Sequence, residues 1–272
     1  VREELMMEGM NEKGLSAGLF YFPDYGRYEE YSEANYETNI SDFQLVSYIL
    51  GRCATVDEVK AEIAKVHIHG FDPRSSTVHW RFAEPSGRQI VLEIIDGKCV
   101  FYENTLGVLT NSPSFDWQLT NLNNYVNLLP GRTEPHTLGN MSLSSFGGGS
   151  AMLGLPGDFT PPSRFVRAAF FQNTAPQKPN AEESVFTAFH ILGSMEIPIG
   201  AQFAQCQEPA DIPSATQCTC VTDMSGLRFY YRSMYDGGIR CIDLKEIDFK
   251  KVGLRSEPLI PARKEYVHYI KF

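Results

Sequence analysis

The 272-residue sequence has little positive charge and lacks a long apolar run. Lys and Arg total 24 against 33 Asp and Glu, and the resulting formal net charge of −9 repels phosphate backbones. We therefore expect no nucleic acid among its partners. No run reaches the roughly 18 consecutive apolar residues that a membrane-spanning helix needs, so residues 1–272 predict no membrane span.

Motifs of three common enzyme chemistries are also missing. There is no His-Glu-x-x-His, and Cys218-Thr219-Cys220 is tighter than the usual zinc spacing and has no second ligand pair, so we expect neither a metal nor a cofactor. Gly-x-Ser-x-Gly, the nucleophile elbow of serine hydrolases, does not occur. Residues 147–149 are all glycine, but no Lys-Ser or Lys-Thr follows them, so they do not form a phosphate-binding loop. We interpret this run as part of a flexible lid or an assembly loop.

The composition predicts a folded protein with a substantial core. Hydrophobic residues make up 43% of the chain and aromatic residues 12%, which argues against disorder. The six cysteines are scattered in a chain long enough to fold without disulfides. They leave the compartment undecided. No linker divides the chain, so we expect one domain over residues 1–272.

Strand signals dominate the first half of the chain. An apolar, small-residue run at 16–22 predicts a strand that is buried on both faces. Two capping boxes predict the starts of two helices: Ser41 with Gln44, and Thr55 with Glu58. Apolar runs separated by turns predict an antiparallel meander, with strands at 77–82, 90–95, 99–102 and 108–110.

Helices dominate the second half. Apolar residues at helical spacing predict three helices, at 115–129, 163–173 and 181–195. Asn180 is the expected N-cap of the last helix. Strands return at 227–231 and 238–242. Because the strands and helices come in blocks, without βαβ crossovers, we expect an α+β fold of antiparallel sheets with helices packed outside them.

Two positions carry candidate chemistry. Asn111 lies where a strand is expected to end and a helix to begin, so its amide can donate from a fixed position to an oxyanion; simple turn formation is the alternative. Arg164 lies near a helix start, where the dipole favours acidic residues, and a charge placed against local preference suggests a function. An ion pair with Asp158 is the alternative for Arg164, and exposure to solvent is the simple expectation for Arg167.

Three motifs resemble those of the choloylglycine hydrolases, the family of bile salt hydrolases and penicillin V acylases. They are Gly9-Met10-Asn11-Glu12-Lys13-Gly14-Leu15, then Leu109-Thr110-Asn111-Ser112-Pro113 with Trp117-Gln118 and Asn121–Tyr125, and finally Gly154–Asp158 with Ser163–Arg167. Each motif alone is weak. Their common order and spacing along almost the whole chain make the resemblance specific.

The resemblance implies an N-terminal nucleophile hydrolase, a four-layer αββα sandwich of two antiparallel sheets flanked by helices. A cysteine at the mature N-terminus would attack an amide carbonyl, with its own α-amino group as the base and a thioester as the intermediate. In the family this cysteine and its strands precede the motif that contains Asn11. The expected hydrolase domain, 1–272, therefore lacks its N-terminal strands and the nucleophile.

The resemblance also implies roles for single residues. Asn111 matches the asparagine of the oxyanion hole, and Arg164 matches the arginine beside the nucleophile. Tyr21 matches the position that supplies a backbone N–H to the oxyanion hole and a side chain to the substrate, and Tyr there leans toward the acylases. Tyr21, Phe22 and Trp80 are candidates for an apolar acyl pocket, with core packing as the alternative for Trp80.

The sequence therefore predicts a hydrolase of linear amide bonds, acting on N-acyl amides such as conjugated bile salts or the side chain of penicillin V. A catalytically inactive relative that serves as a binding or assembly protein is the alternative. The loop at 137–157 resembles the segment that family members extend into a neighbouring subunit. This resemblance implies a homo-oligomer, either a tetramer or a dimer.

Overall fold

Twelve strands and five α-helices build the part of the chain that a computed structural model describes, namely residues 5–72, 76–203, 207, 215–260, 267, 269 and 270. The strands are β1 (Glu8–Met10), β2 (Ser16–Tyr21), β3 (Asn39–Ser41), β4 (His67–His69), β5 (Val78–Ala83), β6 (Gln89–Ile95), β7 (Lys98–Glu103), β8 (His136–Leu138), β9 (Met141–Leu143), β10 (Cys218–Asp223), β11 (Arg228–Ser233) and β12 (Asp236–Asp243). The helices are α1 (Leu45–Leu50), α2 (Val56–Ile63), α3 (Phe115–Asn121), α4 (Pro161–Thr174) and α5 (Ala181–Gly193).

The strands form two main antiparallel sheets. The larger sheet has the order β1-β2-β5-β6-β7, and the smaller has the order β10-β11-β12. Two further pairs complete the described strands, a parallel pair of β3 with β4 and an antiparallel hairpin of β8 with β9. The predicted α+β class with antiparallel sheets is confirmed, and the small parallel pair is an addition that the sequence did not indicate.

One face of the larger sheet holds the main core. Leu19, Trp80 and Leu92 stand directly opposite one another on β2, β5 and β6, and all three are buried. Because side chains alternate along a strand, these three share a face, and the apolar sides of α1 and α2 cover it. The opposite face of the same strands carries His79 and Glu93.

The starts of α1 and α2 follow from local capping. Both predicted capping boxes form: Ser41 with Gln44 opens a short 3₁₀ turn that runs into α1, and Thr55 with Glu58 opens α2. Each box satisfies backbone N–H groups that have no partner inside the helix. The turn between β6 and β7 also follows from local sequence. Its residues Asp96 and Gly97 both adopt positive φ, which Asp-Gly turns between strands favour.

Two predicted boundaries are wrong. Residues 108–110 form no strand; they are a loop in which the carbonyl of Val108 accepts from the side chain of Asn104. The helix predicted for 115–129 ends as an α-helix at Asn121 and continues only as a 3₁₀ turn over Leu122–Tyr125. The side chain of Asn123 donates to the backbone carbonyl of Thr120 and competes with helical hydrogen bonds.

The second half of the chain packs against the first through α4. Its residues Phe165 and Ala169 join Val91 and Phe115 in a second buried cluster, which lies between β6, α3 and α4. The helix α5 starts at the predicted cap, where the side chain of Asn180 accepts from the N–H of Glu183. Over the described ranges, every helix is too short or too polar to cross a membrane.

Candidate functional site

Tyr21, Asn111 and Arg164 meet in one chain of hydrogen bonds, although they lie far apart in the sequence. The Nδ2 of Asn111 donates to the carbonyl of Tyr21 at 2.7 Å, and the Nη2 of Arg164 donates to the Oδ1 of Asn111 at 2.7 Å. Tyr21 ends β2, Asn111 lies in the loop before α3, and Arg164 lies in the first turns of α4. Three elements thus converge on one amide.

The orientation of the Asn111 amide is fixed by its two partners. A guanidinium can only donate, so the oxygen of the amide must face Arg164. The nitrogen then faces the carbonyl of Tyr21, which can only accept. Since an amide nitrogen carries two hydrogens, one N–H of Asn111 remains for a further acceptor.

The backbone N–H of Tyr21 points to the same edge of β2 as this amide. The N–H of Phe22 bonds to Thr77 on the β5 side, whereas the N–H of Leu19 bonds to Met7 on the β1 side. Alternate residues of a strand face opposite edges, and the N–H and carbonyl of one residue face the same edge. Tyr21 therefore presents its N–H beside the carbonyl that meets Asn111, which places two donors together.

Arg164 is held by a second contact. Its Nε donates to the carbonyl of Phe159 at 3.0 Å, so the half-buried guanidinium is fixed at two points. Burial lowers the pKa of Arg164, and the nearby Arg167 lowers it further. An arginine nevertheless keeps its charge in proteins, so the site carries a fixed positive charge beside Asn111.

The alternatives for this part of α4 do not hold. The carboxylate of Asp158 bonds to the hydroxyls of Thr160 and Ser163, and Arg164 bonds instead to Asn111 and Phe159. Arg167 is buried rather than solvated. Its Nη1 donates to the carbonyls of Pro156 and Asp158 at 2.8 and 2.5 Å, which ties the preceding loop to α4.

The loop that carries Asn111 is anchored on both sides of that residue. The hydroxyl of Thr110 donates to the carbonyl of Pro161 at the start of α4 at 3.1 Å, and the hydroxyl of Ser112 donates to the carbonyl of Pro23 at 2.6 Å. The side chain of Gln118 reaches back from α3 to the carbonyl of Asn111 at 3.3 Å. Each anchor fixes backbone, so the amide of Asn111 is presented from a braced loop.

A buried His79–Glu93 pair lies beneath this loop, and the sequence analysis missed it. The Nδ1 of His79 is 3.1 Å from the Oε1 of Glu93, and its Nε2 is 3.3 Å from the carbonyl of Thr110. Glu93 also accepts from the N–H of Phe115 at 3.0 Å. The available signal was a charged residue inside the apolar run at 90–95, because a buried charge needs a partner.

The candidate pocket residues separate into one exposed and two buried side chains. Tyr21 is 57% exposed beside Asn111, so its ring can meet a ligand. Phe22 and Trp80 are both 0% exposed: Phe22 stacks on the ring of His79, and Trp80 packs in the core under α1 and α2. Neither buried ring reaches a surface of the described chain, so neither lines a pocket there. Trp80 packs in the core, which was the alternative for this residue.

The described cysteines lie elsewhere in the fold. They are Cys53 in the main core, Cys99 on β7, Cys218 and Cys220 on β10, and Cys241 on β12. Burial raises the pKa of the Cys53 thiol to about 11, which disfavours the nucleophilic thiolate. Cys206 lies outside the described residues.

Comparison with known proteins identifies the family of this chain. The model of a family described as linear amide C–N hydrolases, choloylglycine hydrolase family, matches residues 1–256. Over 244 residues the chain is 34% identical to a bile salt hydrolase/transferase of Clostridium perfringens, covering 88% of this chain and 72% of that protein. It is 30% identical over 268 residues to a penicillin V acylase of Pectobacterium atrosepticum, covering 90% of this chain and 64% of that protein.

Solved structures are similar over the same extent. A variant of conjugated bile acid hydrolase from Clostridium perfringens matches with a TM-score of 0.83 and 30% identity, over 98% of this chain and 80% of that one. A penicillin V acylase from Agrobacterium tumefaciens matches with a TM-score of 0.69 and 25% identity, over 90% and 68%. These likenesses confirm the predicted N-terminal nucleophile hydrolase fold. Because the family model spans nearly the whole chain, the protein belongs to the choloylglycine hydrolase family of linear amide C–N hydrolases.

Proposed function

We propose that this protein hydrolyses N-acyl amides through an N-terminal cysteine and a thioester intermediate. The observation that carries the proposal is the convergence of the Tyr21 N–H and the Asn111 amide at one edge of β2, with Arg164 behind the amide. Two fixed donors beside a fixed positive charge suit the oxyanion of a tetrahedral intermediate.

The proposed chemistry assigns a distinct task to each group. Attack of the thiolate on the amide carbonyl places a negative charge on the carbonyl oxygen, and the N–H groups of Tyr21 and Asn111 donate hydrogen bonds to that oxygen. Arg164 orients the Asn111 amide through its Oδ1 and favours thiolate over thiol by its charge. The α-amino group of the cysteine takes the thiol proton and passes it to the amide nitrogen as the C–N bond breaks, which leaves a thioester. Water then attacks the thioester and releases the acid and the thiol.

The proposed substrates are conjugated bile salts or penicillin V. Relatives in both groups resemble this chain to a similar extent, 34% and 30% identity, so identity alone does not choose between them. Both substrates join a bulky apolar acyl group to an amine. The exposed ring of Tyr21 supplies an apolar surface beside the oxyanion donors, with a hydroxyl at its tip.

The test uses the complete gene product that contains this sequence. Taurocholate, glycocholate and penicillin V are incubated separately with the protein, and the released amine is quantified. Asn111→Ala is expected to lower kcat about 100-fold, the order of loss for one oxyanion donor. Asn123→Ala is the matched control, because its exposed amide donates to the neighbouring carbonyl of Thr120.

The outcomes separate the candidate functions. Release from one substrate, lost in Asn111→Ala and kept in Asn123→Ala, supports the hydrolase and names its acyl group. No release from any of the three by folded protein with a free N-terminal cysteine points to a different amide substrate. Absence of that cysteine from the complete gene product favours the alternative, an inactive relative that serves as a binding or assembly protein. Equal activity of Asn111→Ala and the parent would remove Asn111 from the proposed mechanism.

We further propose that the protein is a homo-oligomer joined through the 137–157 segment. The hairpin of β8 and β9 lies in this segment except for its first residue, His136. Large apolar side chains on and after the hairpin are exposed: Leu138, Met141, Phe146 and Leu153. Clustered apolar exposure is typical of an interaction surface. A second copy of the chain is the proposed occupant.

A further inference from the structure

The buried His79–Glu93 pair connects both halves of the proposed oxyanion hole. His79 and Glu93 are 1% and 0% exposed, on the face of the larger sheet opposite the α1 and α2 core. Removing a histidine and a carboxylate from water is costly, and two apolar side chains would avoid that cost. The reason that the sheet contains His79 and Glu93 must therefore lie in the contacts that these two side chains make.

On one side, the pair holds the backbone of the Asn111 loop. The Nε2 of His79 lies 3.3 Å from the carbonyl of Thr110, the residue before Asn111. The Oε1 of Glu93 accepts from the N–H of Phe115, where the same loop enters α3. The pair thus bonds to the backbone of the loop on both sides of Asn111.

On the other side, the pair supports the end of β2. The ring of His79 stacks on the ring of Phe22, with centroids 4.4 Å apart and planes 9° from parallel. The ring of Phe20 meets the same histidine edge-on at 6.1 Å. These two residues flank Tyr21, so the residue that offers the backbone N–H is held from both sides.

We propose that His79 and Glu93 are positioning residues that set the distance between the Tyr21 N–H and the Asn111 amide. This inference rests on the proposed amide hydrolysis. Neither side chain touches the reacting atoms; each acts through the loop or the strand that it holds. Displacing an oxyanion donor by about 1 Å can cost a large share of its effect, roughly 100-fold in rate.

The first measurement compares kcat and KM for Glu93→Gln and His79→Gln with the parent protein. Both variants are expected to lower kcat about 10- to 100-fold while KM stays within about twofold, since donors to the transition state move and the acyl pocket does not. Leu92→Val is the matched control: it perturbs the same strand on the opposite, core-facing side. It is expected to lower the melting temperature and leave kcat unchanged.

All rates are measured per folded molecule, below the melting temperature of each variant. Glu93→Asp, which keeps the charge but withdraws the oxygen from Phe115, replaces Glu93→Gln if that variant does not fold. If kcat falls in proportion to the melting temperature in all variants, including Leu92→Val, then His79 and Glu93 have only a structural role. That result would overturn the inference.

The deciding experiment is a double-mutant cycle with Asn111→Ala. If Glu93 acts through Asn111, Glu93→Gln lowers kcat little further once Asn111 is alanine. Fully additive losses would overturn the inference and leave the proposed function standing. If Asn111→Ala alone leaves hydrolysis intact, Asn111 is removed from the proposed mechanism, and the inference fails while the proposed amide hydrolysis stands.

Discussion

Arg164 and Arg167 lie three positions apart on α4 and hold different parts of the molecule. Arg164 donates from Nη2 to the side chain of Asn111 and from Nε to the carbonyl of Phe159. Arg167 donates only to loop carbonyls and lies over the ring of Phe159, 5.6 Å from its centroid. The first arginine therefore orients a catalytic candidate, and the second stabilises the loop before α4.

Substitution by lysine should separate these two tasks. Lysine keeps the charge but loses the planar, two-point donation, so Arg164→Lys is expected to lower kcat about tenfold or more with little change in melting temperature. Arg167→Lys is expected to cost about 1–3 kcal/mol of stability, because the part-buried hydrogen bonds to the carbonyls of Pro156 and Asp158 are lost. Steady-state kinetics and thermal unfolding of both variants measure the two effects. The assignment is refuted if Arg167→Lys lowers kcat while Arg164→Lys mainly lowers stability.

The residues of the site were predictable to different degrees. Asn111 and Arg164 stood out because each sits in a motif. The positive charge of Arg164 near a helix start was also unusual for its place, whereas asparagine is an ordinary turn residue. Their contact was not predictable, since 53 residues separate them and only the packing of α4 beside the loop brings them together. His79 and Glu93 lie in apolar runs that read as ordinary strands, and only the register of β5 against β6 makes them neighbours.

Among the elements, those specified by local chemistry were predicted best. Capping boxes fix the starts of α1 and α2, and a turn with positive φ at Asp96 and Gly97 fixes the β6–β7 hairpin. The segment 108–110 is apolar like a strand, yet it lies beyond β7 in the loop that leads to Asn111. The apolar residues of 108–110 reflect burial in a loop and not pairing with another strand. Periodicity alone could not distinguish a buried loop from a strand.

The start of α4 gives a prediction at this scale. The hydroxyls of Thr160 and Ser163 and the N–H of Thr160 hold the pKa of Asp158 at about 2, below its ordinary value of 3.8. A lowered folded-state pKa stabilises the protein above the unfolded value, and that contribution is lost as the pH falls toward 2. Asp158→Asn keeps the hydrogen-bonding shape and removes this titration.

Urea unfolding of the parent and Asp158→Asn, between about pH 5 and about pH 3, measures the effect. The parent is expected to be the more stable at the upper pH, and the difference between the two proteins should shrink as the pH falls. Other carboxylates titrate in the same range, Glu103 among them with a pKa of about 2, but they are common to both proteins and cancel. A difference that does not change with pH would show that Asp158 contributes no titration-linked stability.

At the scale of the whole molecule, the apolar surface is uneven. The first core is covered by α1 and α2 and the second by α3 and α4, whereas the segment that contains β8 and β9 leaves its large apolar side chains in water. Leu138 is 70% exposed, and Phe146 is fully exposed. Burying such side chains against a second copy yields roughly 25 cal/mol for each Å² of apolar surface removed from water.

Phe146→Asp is therefore expected to weaken self-association of the complete protein. Sedimentation velocity over a range of concentrations should show the parent as a dimer or tetramer and the variant shifted toward monomer, because a buried carboxylate without a partner is costly. Tyr36→Asp is the matched control: its ring is 76% exposed in a loop on another part of the chain, and its change should leave the assembly intact. A parent that is monomeric at all concentrations would refute the proposed oligomer. An oligomer that survives Phe146→Asp, and survives Leu138→Asp as well, would place the contact on a surface other than the 137–157 segment.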